Sequence, residues 1–358
     1  MRTSGREGRR RKQGGKAQGI EPQRRPNPLL VIVGPTAIGK TALSLHLAKA
    51  LDGEIVSADS RSFYRGMDIG TAKPTLEERA QVPHHLIDIA DPDETVGLAE
   101  YQDMAYAAIN DIHARWKLPL LVGGTGQYVQ AVVEGWRIPR VAPHPDLREQ
   151  LERKAKQESP YALHDWLKRL DPEAAESIHP HNVRRVVRAL EVCLITGQPI
   201  TDQQGKEPPP YDILQIGLTM DRETLYARVN SRLQRMIEEG LLEEVQRLLA
   251  QGYDWRLPAM SAVGYAEFQA YFEGRSRERV KGPSPERDKG RHPEPPKGEA
   301  RLDDVIGEIE SNLHRFIRHQ YNWFDLDDPD IRWFDVTRTT QDEIQATIHR
   351  WLKKHRPR

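Results

Sequence analysis

The chain has 358 residues, enough for two domains or for one large domain carrying an insertion. Its 53 Lys and Arg balance 53 Asp and Glu, so whole-chain charge argues neither for nor against nucleic acid, and only local patches can. The lone cysteine, Cys193, excludes an intrachain disulfide, no apolar run reaches membrane-spanning length, and the basic N-terminus lacks the apolar stretch of a secretory signal, so a soluble, cytoplasmic protein is expected.

Residues 1–28 hold nine Arg and Lys against Glu7 and Glu21 and almost no apolar side chains. Such a stretch cannot bury enough surface to order itself. It reads as a disordered basic tail, either simply solvated or a loose tether for a polyanion. Leu29 to Val33 (LLVIV) then forms an apolar run of strand length. Gly34-Pro35-Thr36-Ala37-Ile38-Gly39-Lys40-Thr41 fits G-x-x-x-x-G-K-[ST], the phosphate-binding loop. Thr41 to Leu51 follows as a helix with Leu43, Leu47 and Leu51 on one stripe. A strand, a glycine-bounded loop and a helix N-terminus make an anion site, because loop N–H groups and the helix dipole both favour negative charge. Lys40 adds a cation, and the Thr41 hydroxyl can hold Mg2+. The motif specifies a phosphate-bearing ligand without saying which.

Glu54 to Ala58 is a second strand, and Asp59 sits at its carboxyl end. In open α/β sheets that end faces the ligand crevice, so Asp59 should share a cleft with Lys40. Ser60 to Lys73 forms a loop. His84 and His85 invite a metal reading, but no Cys or carboxylate at ligand spacing accompanies them, and structural roles are expected. Leu98 to Trp116 reads as an amphipathic helix. Pro119 to Val122 is a third strand, closed by a second glycine turn, Gly123-Gly124-Thr125-Gly126.

Strand-like runs then stop. Residues 139–205 read as a helical insertion, with charged helices over 146–157 and 161–170 and a helix after Pro180 bearing Arg184, Arg185 and Arg188. Arg184 and Arg188 share a face, either solvated beside Glu191 or free to contact phosphate. Asp212 to Leu218 returns to the core, which therefore comprises residues 29–138 and 206–358. A long helix is expected over 222–250. Its Arg228, Arg232 and Arg235 fall at i, i+4 and i+7, a stripe of three cations that needs a countercharge. Residues 275–301, with five prolines and many charges, read as a disordered insert. Leu302 to Phe324 is helical, with Arg315, Arg318 and His319 on one side and Leu313, Phe316 and Ile317 toward the core. A last strand at 332–336 and a helix at 341–354 close the chain. The fold class is α/β: a P-loop NTPase-like core with a parallel sheet flanked by helices, plus a helical insertion domain.

Seven segments, in order, resemble the tRNA dimethylallyltransferases, also called tRNA isopentenyltransferases. They are GPTAIGKT (34–41), SADSRSFYRGMDIGTAKP (57–74), PHHLIDIADPDE (83–94), LPLLVGGTGQYVQAVVEG (118–135), IHPHNVRRVVRALEV (178–192), RLQRMIEEGLLEEV (232–245) and VGY (263–265). The likeness runs from residue 29 to about 272 and resumes near 302–336. It implies transfer of a dimethylallyl group from dimethylallyl diphosphate to N6 of an adenosine beside the anticodon, at position 37 of tRNA, by a monomer using Mg2+. Residues 34–41 would then hold the leaving diphosphate. By the same resemblance Asp59 is the catalytic base, although its strand-end position equally suits a Mg2+ ligand or a structural cap. Thr36 and Arg232 would contact the diphosphate. RNA contacts are implied at Asp59, Ser60, Arg61, Ser62, Thr125, Arg148, Arg184, Arg185, Arg188, Ser261, Gly264, Tyr265, Arg315 and Arg318 in the anticodon stem-loop complex.

The chain departs from the family pattern at Ala266 and His319, where basic residues are usual, and in its basic tail and 275–301 insert. Three other readings share the phosphate loop: an enzyme that prenylates free AMP or ATP, a small-molecule kinase, and an RNA-binding module with a vestigial loop. The long insertion and the arginine helix argue against the first, and the intact Gly34, Gly39, Lys40, Thr41 and Asp59 against the last.

Overall fold

Leu29, Leu30, Val31, Ile32 and Val33 are fully buried, which is what a continuous apolar run becomes in the middle of a parallel sheet. Each such side chain contributes about 1.5–3 kcal/mol of transfer free energy. The computed structural model describes residues 27–280 and 301–355. The first core part holds β1 (Pro28–Val33), α1 (Lys40–Leu51), β2 (Gly53–Ser57), α2 (Leu76–Gln81), β3 (His84–His85), α3 (Leu98–Ala114), β4 (Leu118–Val122) and α4 (Gly126–Val133). A short strand β5 (Trp136–Arg137) leads into α5 (Pro145–Gln157), α6 (Pro160–Leu170), α7 (Pro172–Ser177), α8 (Val183–Thr196) and α9 (Ile200–Gln203), and β6 (Gly205–Lys206) returns antiparallel to β5. The second core part is β7 (Asp212–Thr219), α10 (Arg222–Glu238), α11 (Leu241–Ala250), α12 (Phe268–Val280), α13 (Leu302–Trp323), β8 (Ile331–Asp335) and α14 (Gln341–His355).

Among the described residues the main sheet has the order β3-β2-β4-β1-β7-β8, and every pairing in it is parallel. The register pairs Ile32 of β1 and Ser57 of β2 with the same residue of β4, Val122. The turns that follow these three strands therefore open at one edge, the carboxyl end where α/β sheets bind ligands. One apolar cluster packs α1, α10, α13 and α14 on one face of the sheet, and a second packs α3 and α4 on the other. Helices α5 to α9 enclose a cluster of their own, including Leu151, Leu163, Leu167, Val186, Leu190 and the buried Cys193. In α5, α6 and α7 a proline opens the first turn, and the side chains of His144, Ser159 and Asp171 accept the first free N–H groups, as helix starts require.

The sequence reading needs correction in three places. The helix expected over 222–250 breaks into α10 and α11 at Gly240, whose φ of 102° few other residues adopt cheaply. Phe316, expected in the core, is 41% exposed, while Ile317 beside it is buried. Helix α12 runs on to Val280, into the stretch read as a disordered insert. The remainder of that insert and the basic tail up to residue 26 lie outside the described residues. Among the described residues no helix is long and apolar enough to cross a membrane.

Candidate active site

The loop after β1, residues Gly34 to Gly39, wraps back over the start of α1. Lys40 does not point into empty space. Its Nζ donates to the carbonyl oxygens of Gly34 at 2.9 Å and Pro35 at 2.8 Å. Burial pushes its ammonium down to about 8, the Asp59 carboxylate opposes that fall, and the Arg232 guanidinium adds to it. Three groups that the sequence separates by up to 192 positions thus lie within electrostatic range of one another.

Asp59 opens the turn that follows β2. Its Oδ1 accepts the Arg61 N–H at 2.9 Å, and its own N–H donates to Ser57 Oγ at 3.3 Å, an Asx-type turn that fixes the carboxylate's direction. The second glycine turn grips the same segment: Ser60 N–H donates to Thr125 Oγ1 at 3.2 Å and Thr125 N–H to the Ala58 carbonyl at 3.3 Å. Arg61 reaches across to the Pro258 carbonyl at 2.8 Å and to Ser261 Oγ at 3.4 Å. Asp59 to Ser62, Thr125 and Ser261 therefore form one rim.

Below this rim is a cleft of about 1080 Å3. Thr36, Lys40, Thr41, Asp59 and Thr71 line one side, and Arg228, Arg232 and Arg235 of α10 line the other. The arginine stripe faces the cavity, where an anion can supply its missing countercharge. Burial pushes the Arg232 guanidinium below its usual range, and the Asp59 carboxylate acts against that shift. Lys73, though buried, is fully paired: Nζ donates to the Tyr64 carbonyl at 2.8 Å and to Asp68 and Asp88, each at 2.6 Å.

Two buried residues that the sequence reading passed over hold the site in shape. Gln320 accepts the Thr36 N–H at 2.9 Å and donates to the Gly124 carbonyl at 2.9 Å. A Cβ at Gly124 would stand 2.3 Å from the Gln320 Nε2, so any other residue there would displace the Gln320 amide. Glu244, 1% exposed, accepts the N–H groups of Asp68 at 2.9 Å, Ile69 at 3.0 Å and Gly70 at 3.1 Å, and the Tyr265 hydroxyl at 2.6 Å. It fixes the loop that carries Thr71 into the cleft. The i,i+3 and i,i+4 spacing of Glu244 with Leu241 and Leu248 marks it as core-facing, a signal that could have revealed it.

The other expected RNA residues distribute as follows. Tyr265 is fully buried and its hydroxyl donates to Glu244, so its side chain presents no surface to RNA. Gly264 is buried next to it, with its α-carbon side facing Gly70. In the insertion, Arg184 and Arg185 are exposed on α8. Arg148 and Arg188 are instead drawn onto Glu191, at 2.7 and 2.6 Å. Glu191 has no exposed surface, so this is a three-member ion network closed over a buried carboxylate by two half-buried arginines, rather than the solvated face considered above. Arg315 and Arg318 are exposed on α13, and Arg318 donates to the Tyr226 hydroxyl at 3.2 Å. His85 is paired with Glu54 at 2.8 Å, and the His84 ring contacts the Val82 carbonyl at 2.8 Å.

A divalent cation can be tested against this donor set. Among the described residues no cluster of three or more His, Cys, Asp or Glu forms a protein cage. The Thr41 hydroxyl and the Asp59 carboxylate do line one cleft, and hard oxygen donors of this number suit Mg2+, which keeps waters and phosphate oxygens in its shell.

The family described as IPP transferase matches residues 62–327. A tRNA dimethylallyltransferase of Roseiflexus castenholzii is 56% identical over 297 residues, covering 83% of this chain and 89% of the relative. The Thermomicrobium roseum tRNA dimethylallyltransferase is 45% identical, covering 91% and 92%. The crystal structure of the full-length tRNA isopentenylpyrophosphate transferase of Bacillus halodurans superposes with a TM-score of 0.63 at 40% identity, over 92% of this chain and 96% of that one. A eukaryotic dimethylallyltransferase caught acting on tRNA gives 0.70 at 25% identity, over 92% and 80%.

Proposed function

The chain belongs to the IPP transferase family, and from that premise we propose that it transfers a dimethylallyl group from dimethylallyl diphosphate to N6 of adenosine 37, beside the anticodon of tRNA. One observation carries the reading: a carboxylate, Asp59, shares a single cleft with two cations, Lys40 and Arg232, that suit a leaving diphosphate. Each half of the reaction then has its own group.

The chemistry balances with the residues at hand. The C1–O bond of the allylic diphosphate breaks and its electron pair stays on the diphosphate. Lys40, Arg232 and the loop N–H groups stabilise the charge that develops there. The N6 lone pair forms the new bond to C1. Adenine N6 is a poor nucleophile, so a base must take its proton as the bond forms, and the Asp59 carboxylate, oriented by the Arg61 N–H, is the group we assign. The Thr36 side chain lines the cleft where it can meet the diphosphate. Mg2+ held by Thr41, with Asp59 nearby, supplies further neutralisation of the diphosphate when bound.

The acceptor base has to leave its stack to reach Asp59. An anticodon loop is single-stranded, which makes that cheaper than in a duplex. The rim of Ser60, Arg61, Ser62, Thr125 and Ser261 suits the backbone on either side of an extruded base, with Arg184 and Arg185 available to the stem. We assign a monomer as the working unit, and the tRNA substrate fits a cytoplasmic enzyme. The test is an assay offering dimethylallyl diphosphate with an anticodon stem-loop or with AMP, read by nucleoside mass spectrometry and diphosphate release. Prenylated adenosine in the stem-loop alone supports the reading. Prenylated AMP with an untouched stem-loop would replace it with free-nucleotide transfer, and ADP made from ATP would point to a kinase.

A further inference from the structure

Beside the main cleft lies a second, smaller chamber of about 50 Å3. The two cavities share Thr36, Ala37, Thr71, Ala72, Arg232 and Met236 as lining, so they are neighbours along the same walls. Their characters differ. Away from the shared edge, the chamber is walled by apolar side chains of α10, α11 and α13: Val229, Leu233, Leu241, Ile309 and Leu313. Val229, Leu233, Leu241 and Ile309 are at most 2% exposed, so this is core surface turned toward a void. Close-packed interiors keep such voids rarely and at a cost, and an apolar one stays dry unless an apolar group fills it.

The edge shared with the cleft carries Arg232, the cation assigned to the diphosphate, and Met236 one turn further along the same helix, with Leu233 and Leu313 inside the chamber. A chain attached to a diphosphate held at Lys40 and Arg232 would have its first carbon near this shared edge. We propose that the chamber receives the branched end of the prenyl chain, and that Met236 and Leu313 limit that chain to five carbons. This rests on the reading of the protein as a prenyltransferase and adds the part of the site that selects among allylic diphosphates.

Size decides between the occupants the cleft could offer. An apolar cavity of about 150 Å3 takes benzene. On that scale a chamber of about 50 Å3 takes roughly two carbons, the pair of methyl groups at a branched end. A dimethylallyl group presents such an end. A geranyl group, with twice the carbons, and a purine ring both exceed it. Met236 from α10 and Leu313 from α13 are only half-buried, so trimming them enlarges the chamber without hollowing the deep core.

The experiment compares dimethylallyl and geranyl diphosphate as donors to an anticodon stem-loop in wild type, Met236→Ala and Leu313→Ala, with folding followed by thermal melts. Wild type should favour the five-carbon donor strongly. Each Ala variant should narrow the ratio of kcat/KM values by about tenfold or more, the scale on which apolar pockets discriminate by size, and should yield N6-geranyl adenosine by mass spectrometry. If the Ala variants unfold, Met236→Trp carries the test. Filling the chamber should raise KM for dimethylallyl diphosphate about tenfold or more while the Kd of inorganic diphosphate stays within twofold. An active wild type whose donor ratio is unchanged in folded Ala variants, or a Trp variant with unaltered KM, overturns the chamber assignment alone. A wild type that transfers no prenyl group from either donor overturns the function beneath it.

Discussion

Gln320 clasps Thr36: its Oε1 accepts the Thr36 N–H at 2.9 Å while its Nε2 holds the Gly124 carbonyl at the same distance. A residue near the end of α13 thereby sets the spacing between the phosphate loop and the second glycine turn. Gln320→Leu would leave the buried Gly124 carbonyl unpaired, at about 1–3 kcal/mol, and free the part-buried Thr36 N–H. The expected result is a melting temperature several degrees lower and a KM for dimethylallyl diphosphate raised about tenfold, read from thermal melts and steady-state kinetics.

Lys40 gives the site a pH dependence. Its ammonium has been pushed down to about 8, mainly by burial. Below that value it is charged and attracts the diphosphate; as pH rises through about 8 in the free enzyme the charge is lost. The kcat/KM for dimethylallyl diphosphate should therefore fall on the alkaline side with an apparent pKa near 8, and Lys40→Met should remove that limb along with most of the activity. Because a bound polyanion favours the charged form, diphosphate binding at about pH 8.5 should take up a proton, measurable by calorimetry in buffers of different ionisation enthalpy.

Arg232 acts on the same group. Its guanidinium helps to depress Lys40, so Arg232→Ala should shift the alkaline limb to higher pH as well as lowering kcat/KM for the prenyl diphosphate by about 10²–10³-fold, the usual cost of one anion-stabilising donor. Arg232→Lys should recover part of the rate and none of the forked geometry. Kinetic profiles over pH for both variants, with tRNA affinity measured alongside, check this.

Glu244 and Tyr265 separate a structural role from an RNA contact. Glu244→Gln replaces one acceptor oxygen by an NH2 facing loop N–H groups, and should cost about 1–3 kcal/mol with faster hydrogen exchange at residues 68–70. Tyr265→Phe removes one donor from an oxygen that also holds the Gly70 N–H, so it should cost less, about 1 kcal/mol, and leave tRNA affinity within twofold. A large loss of tRNA affinity in a fully stable Tyr265→Phe would restore that residue to the RNA surface.

The core of the site was legible because its parts obey local rules. Residues 34–41 carry their spacing in sequence, and Asp59 follows a strand whose carboxyl end must face the crevice. The arginine stripe of α10 announced its need for an anion through helical periodicity. What escaped were contacts between segments far apart in the chain. Nothing local to Gln320 reveals its bond to Thr36 across 284 positions, and the helical spacing of Glu244 marks its face as inward without revealing its three N–H donors from residues 68–70. The same limit explains Arg148 and Arg188. The resemblance implied RNA contacts for both, yet Glu191 lies buried between them, and only the packing of α5 on α8 shows it.

The central claim is that Asp59 takes the proton from adenine N6. Its most direct test is single-turnover prenyl transfer by Asp59→Asn, with the Kd values of dimethylallyl diphosphate and the anticodon stem-loop measured on the same protein. Transfer should fall by about 10²–10⁴-fold while both Kd values stay within about threefold of wild type. Transfer within about tenfold of wild type in a variant that binds both substrates normally would contradict the assignment and leave Asp59 as a structural cap or a metal ligand.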